Sequence, residues 1–156
     1  MIEQLFAKNF GCLTEVATPK LGMLHAFIGP NDSGKSTLLR AIRLLSYLAP
    51  TSFLLVEEPE NGLHPARIAE VVTSLRAFSE TGTQVVLATH SPLVINELTG
   101  DEVSVVTRDD AGMHVTLIKD TPNFEERSKI YALGELWVSY ANGKDEAPLL
   151  SAPAKK

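Results

Sequence analysis

Residues 29–36 read Gly-Pro-Asn-Asp-Ser-Gly-Lys-Ser, directly after an apolar run from Met23 to Ile28 and directly before a leucine-rich segment with helical spacing. A buried strand, a glycine loop and a helix in that order open a βα unit, and the loop is shaped for an anion. Its glycines let the backbone curl so that successive N–H groups face inward, and the helix opens with the positive end of its dipole toward the bound group. Gly29, Asn31, Asp32, Ser33, Gly34, Lys35, Ser36 and Thr37 are therefore candidate nucleotide-binding residues. Lys35 is expected to reach the β and γ phosphates, and the Ser36 hydroxyl to hold Mg²⁺. The plain alternative is a glycine turn ahead of a helix, which does not require lysine and serine after the second glycine.

Periodicity supplies the rest of the architecture. Short strands are expected at 2–8 and 13–17, where Thr, Val and Leu mix with polar residues, and a stronger one at 23–28. The helix after the loop, 35–48, carries Leu38, Leu39, Ile42 and Leu45 on one stripe and Ala41, Leu44 and Leu48 on a second, leaving chiefly Arg40, Arg43 and Ser46 polar. Such a helix needs cover on more than one side. Pro50 ends it, and Ser52 to Val56 reads as a strand buried on both faces.

A second helix is expected from His64, with Pro65 in its first turn, Ile68, Val71, Val72, Leu75 and Phe78 on one face, and Gly82 closing it. A buried strand at 84–88, a short helix at 92–98 and a hairpin of 102–108 with 113–119 follow. Alternating strands and helices predict an α/β fold with a mainly parallel sheet. Leu133, Leu136, Trp137 and Tyr140 fall at helical spacing and read as core. Beyond them the composition turns to Pro, Ala and Lys, so one domain is expected over 1–140 and a flexible tail over 141–156.

Two further groups carry chemistry. Glu57 and Glu58 end the strand at 52–56, before the turn Pro59-Glu60-Asn61-Gly62. In an open parallel sheet the carboxyl ends of the strands share one crevice, so these acids belong beside the phosphate loop. Adjacent strand residues face opposite ways, which allows one carboxylate to serve the metal and the other to polarise a water. Two acids ending a strand in solvent is the bland reading. Thr89-His90-Ser91-Pro92 follows the 84–88 strand and puts His90 on the same edge, able to sense the γ phosphate or hold the attacking water. His64 reads equally as a helix cap, and His25 and His114 as sheet residues.

Composition sets the exclusions. The 156 residues suit one domain with a real core, and no apolar run approaches the roughly 20 residues of a membrane span. The opening residues carry an acid where a secretion signal is basic, and the one cysteine, Cys12, permits no internal disulfide, so the cytoplasm is the expected compartment. A formal charge of -5 with scattered Lys and Arg argues against direct nucleic-acid binding by this chain.

With these groups in order, the chain resembles the ABC-type ATPases, most closely the SMC/RecF/OLD-like group often labelled AAA-family. The words that carry the resemblance are NFGCLTEV, GPNDSGKSTLL as Walker A, FLLVEEPENGLHP as Walker B, TQVVLATHSP and YALGELW. The resemblance implies a P-loop NTPase fold with strand order 102–107, 23–28, 83–88, 53–57 and the early strands as an antiparallel flank. It implies ATP and Mg²⁺ as ligands, Ser36 and Glu57 at the metal, Glu58 as catalytic base and His90 as switch residue. The family ordinarily places an arm and a signature motif between Walker A and Walker B, where this chain has only Arg43 to Ser52.

The expected function is therefore Mg-dependent ATP binding with slow hydrolysis. Alternatives are a nucleotide-dependent switch or accessory subunit of a larger ATPase or nuclease, docking or dimerising through the apolar helix 38–48, and an inactive abridged remnant. A P-loop kinase is weaker, since no arginine-rich lid is recognisable.

Overall fold

The computed structural model describes residues 1–47, 52–110 and 112–141. Strands β1 (Phe6–Phe10) and β2 (Leu13–Ala17) pair antiparallel as a separate two-stranded sheet. Strands β3 (Leu24–Ile28), β4 (Phe53–Glu57), β5 (Gln84–Thr89), β6 (Val103–Asp109) and β7 (Gly112–Leu117) form the main sheet in the order β4-β5-β3-β6-β7. The first four of that row are parallel, and β7 turns back antiparallel on β6. This is the expected strand order, extended by the hairpin.

Helices α1 (Lys35–Ser46), α2 (Ile68–Glu80), α3 (Pro92–Asn96), α4 (Phe124–Arg127) and α5 (Leu133–Ala141) complete the elements. Side-chain alternation along the central strands divides the core in two. Ala26, Ile28, Val85 and Leu87 pack with Ile68, Val72 and Leu75 of α2, Ile95 of α3 and Trp137 of α5. On the other face Phe27 and Val86 pack with Leu38 and Ile42 of α1 and with Leu13 and Val16 of β2. The molecule thus has three layers, with β3 and β5 fully buried in the middle.

A short 3₁₀ turn, Pro65–Arg67, precedes α2, and His64 caps it by accepting the Ala66 N–H on Nδ1 at 3.2 Å. Gly82 follows the end of α2 with φ +90, a conformation glycine adopts at little cost. The side chain of Gln84 behaves like an extra peptide unit. Its Oε1 accepts the Ile2 N–H at 2.8 Å, while its Nε2 donates to the carbonyls of Ile2 at 2.8 Å and Gly22 at 2.9 Å.

Several expectations change. The first strand runs 6–10 and not 2–8, because residues 2–5 bond elsewhere: Ile2 to Gln84, and Leu5 N–H to Thr18 Oγ1 at 2.9 Å. The strand expected to be buried on both faces, β4, is an edge strand in which none of the five residues is buried. A continuous apolar run suits either place, and this one has a single neighbour. On α1 the first stripe is buried or half-buried and Ala41 of the second is buried, but Leu44 is 54% exposed. Phe78 is equally exposed, and Ser79 takes its place against the core on α2. Leu48, Pro50 and the expected tail beyond Ala141 lie outside the described residues, as does the Tyr140 side chain. No described helix is long and apolar enough to cross a membrane.

Candidate functional site

Parallel strands deliver their carboxyl ends to one edge, and the loop after β3, the acids after β4 and His90 after β5 all meet there. The loop is held tightly from beneath. A Cβ on Gly29 would overlap the Val106 carbonyl oxygen, and one on Gly34 would overlap Cε of Met113, while Gly34 also has φ +99. Gly29 is required by its approach to backbone, and Gly34 by backbone hand, since the Met113 methyl could swing aside. Asp32 adopts φ +63 within the same turn.

Lys35 is buried at 7% exposure, and its Nζ donates to the carbonyls of Gly29 at 2.8 Å and Pro30 at 2.9 Å. Burial pushes the ammonium below its ordinary pKa, and Glu58, Glu57 and Asp32 pull it back up. Asn31, Asp32, Gly34, Lys35, Ser36, Thr37 and Glu58 line one cavity of about 670 Å³. Gly29 and Ser33 lie under the loop, the buried Ser33 N–H bonding to the Pro30 carbonyl at 3.3 Å.

Across the sheet edge the Ser36 hydroxyl donates to Glu57 Oε1, so the two expected metal-holding side chains touch. Two hard oxygen donors beside a phosphate cradle fit Mg²⁺, which is commonly held by one or two protein oxygens together with phosphate and water. Glu58 is not the next residue of the strand, as alternation alone would have it. It leaves β4 with φ +51, its N–H bonds to the Ala88 carbonyl at 2.7 Å, and its carboxylate turns away from Glu57 toward His90.

His90 Nδ1 stands 2.6 Å from Glu58 Oε2. Burial raises the Glu58 pKa, His90 opposes that rise, and Glu60 adds to it. A carboxylate whose proton affinity is raised, next to an imidazole, can take a proton from water and hand it on.

Glu60, read from sequence only as a turn residue, belongs to this group. It accepts the Thr89 hydroxyl at 2.7 Å, while Thr89 Oγ1 accepts the Ser91 N–H at 2.9 Å, tying the acidic turn to the loop that carries His90. Trp137 of α5 donates its indole N–H to the His90 carbonyl at 3.2 Å, fixing that loop from the other side. Cys12 and Arg108 also line the cavity, and the Cys12 thiol lies 3.2 Å from Thr37 Oγ1. The parallel adjacency of β3 and β6 was the signal that places Arg108 at this edge. The left-handed turn at Glu58, which aims Glu60, leaves no such signal.

A glycine loop between β3 and α1, at the carboxyl edge of this sheet, defines a P-loop NTPase fold. Residues 44–96 match the family described as "AAA domain, putative AbiEii toxin, Type IV TA system". An OLD nuclease of Thermus scotoductus is 51% identical over 45 residues, which is 29% of this chain and 8% of that protein. The chain thus spans a small fraction of the length of that curated relative. Among solved structures, an SMC head bound to the C-winged helix domain of ScpA is similar at 20% identity and TM-score 0.37, over 51% of this chain and 24% of that one. The two sequence matches, to an AAA domain family and to an OLD nuclease, agree with the AAA and OLD labels of the group that the motifs resemble.

Proposed function

We propose that residues 1–140 act as one nucleotide-binding domain that takes ATP with Mg²⁺ and hydrolyses it slowly. The observation that carries this reading is the contact between Ser36 and Glu57. It joins the phosphate loop to the end of β4 and leaves Glu58, paired with His90, on the wall of the same cavity.

In this reading the backbone N–H groups of 32–37 surround the phosphates, and Lys35 exchanges its two carbonyl partners for phosphate oxygens. Ser36 and Glu57 would hold Mg²⁺, which when bound offsets phosphate charge. Glu58 takes a proton from the attacking water, whose oxygen bonds to the γ phosphorus as the bond to the ADP oxygen breaks. His90 accepts a hydrogen bond from that water or steadies Glu58 through Nδ1. The products are ADP and inorganic phosphate. Slow turnover follows from the absence of a recognisable signature motif, since a transition-state group supplied by a partner contributes about 10³ to 10⁵ in rate.

A second reading, a nucleotide-dependent switch or accessory subunit, is favoured by the exposure of Leu44 and Tyr47 on the outer side of α1. Measuring phosphate release and nucleotide binding on the same protein separates the readings. Turnover with Mg²⁺ that Glu58→Gln abolishes while binding persists supports hydrolysis. Tight binding without turnover supports the switch, and no binding by the folded protein sinks both in favour of an inactive remnant. Lys35→Ala is expected to weaken binding in either live case.

A further inference from the structure

On the side of the phosphate loop away from β4 stands a cation that the loop motif does not include. Arg108 lies near the end of β6, immediately beside β3, and lines the same cavity as Lys35. Its cross-strand partner on β7 is Met113. Opposed residues on an antiparallel pair share a face, and the Met113 methyl packs where a Gly34 side chain would stand. Arg108 is therefore on the loop's side of the hairpin.

Arg108 is exposed, and among the described residues no hydrogen bond or salt bridge engages its guanidinium. Its surroundings ask for positive charge. Asp32, Glu57 and Glu58 crowd the loop, Lys35 is the loop's own cation, and the chain as a whole is at -5. The carboxylates mark the β4 flank as the metal and γ-phosphate end, while Arg108, Cys12 and Thr37 mark the opposite flank. A guanidinium presents its donors as a planar fork that matches two phosphate oxygens.

We infer that Arg108 is a nucleotide-contacting residue that grips the α phosphate of a bound nucleoside di- or triphosphate from the β6–β7 hairpin. This rests on the nucleotide-binding reading above and adds to it a contact made equally by ATP and ADP.

Isothermal titration of the wild-type chain and of Arg108→Ala with ATP and with ADP, each with Mg²⁺, tests it. The substitution is expected to weaken both nucleotides by a similar factor, about tenfold or more, as for loss of a charge-assisted contact. Arg108→Lys is expected to recover part of the loss. Circular dichroism melts should leave Arg108→Ala as stable as the wild type, and if that variant does not fold, Arg108→Gln takes its place. Unchanged affinity for both nucleotides overturns the inference, as does a loss confined to ATP, which would place Arg108 at the γ end. Failure of the wild-type chain itself to bind overturns the nucleotide site as a whole, a different result from equal binding by wild type and variant.

Discussion

Strands β3 and β4 each end in one half of the site, yet they stand in opposite surroundings. All five residues of β3 are buried between two neighbours and two helical layers, whereas β4 has β5 alone beside it and none of its residues is buried. The phosphate cradle therefore grows from a fully buried central strand and the acids from a partly exposed edge strand. The shape of the loop is set by packing, and the approach of the carboxylates is left softer. Such a division suits a site whose anion pocket must be formed in advance while its acidic arm adjusts.

The largest effect expected from this contrast is at Phe27. It is fully buried, and Phe27→Ala should cost about 4 kcal/mol of unfolding free energy, measured by urea denaturation. Next comes the neighbouring His25, also fully buried, with Nε2 2.9 Å from Ser104 Oγ. Burial lowers its pKa to about 4 from the ordinary 6.5, with Glu102 opposing. The unfolded chain then takes up a proton more readily than the folded one. The stability this group contributes is whole above about pH 6.5 and is lost as pH falls toward 4, by about 3 kcal/mol. Unfolding titrations of His25→Asn against wild type should show the pH slope reduced across that window, and an unchanged slope would remove His25 as its source.

On the edge strand the counterpart of Phe27 is Phe53, which is only half-buried. Phe53→Ala should cost about 1.5 kcal/mol, and a loss equal to that at Phe27 would break the contrast between the strands. The smallest effect is expected at Glu102, whose carbonyl accepts the Ala26 N–H at 2.6 Å. Burial alone would raise its carboxyl pKa, but two bonds from Arg76 of α2 and the Thr99 N–H hold it low. Glu102→Gln should cost about 1 kcal/mol by the same measurement, sharpening how much the Arg76 tie from α2 to the start of β6 adds to the sheet.

What could be read without coordinates was what lies close together in sequence. The phosphate loop, the Glu57-Glu58 pair and the His90 turn are words of a few residues, and the parallel sheet turns them toward one edge. The strand order came with the family resemblance, since periodicity alone does not say which strand lies beside which. For the same reason the sequence of β4 reads as buried: Phe53 to Val56 would look the same at the centre of a sheet. Phe78 continues the apolar stripe of α2, yet it is exposed while Ser79 beside it is the residue buried. Glu60 is not legible because its placement depends on a left-handed residue at Glu58, and Arg108 is legible only through the adjacency of β3 and β6, which is not a local pattern.

The amide of Gln84 has a consequence for the order in which the molecule can be completed. It stitches Ile2 to a residue 82 positions further along, so this one tie cannot close until β5 lies beside β3, whereas Glu3 and Leu5 are already held by Leu21 and Thr18 close by in the chain. Ile2 therefore stays unlatched while the cradle and the acidic turn take shape, and the latch closes as the centre of the sheet does.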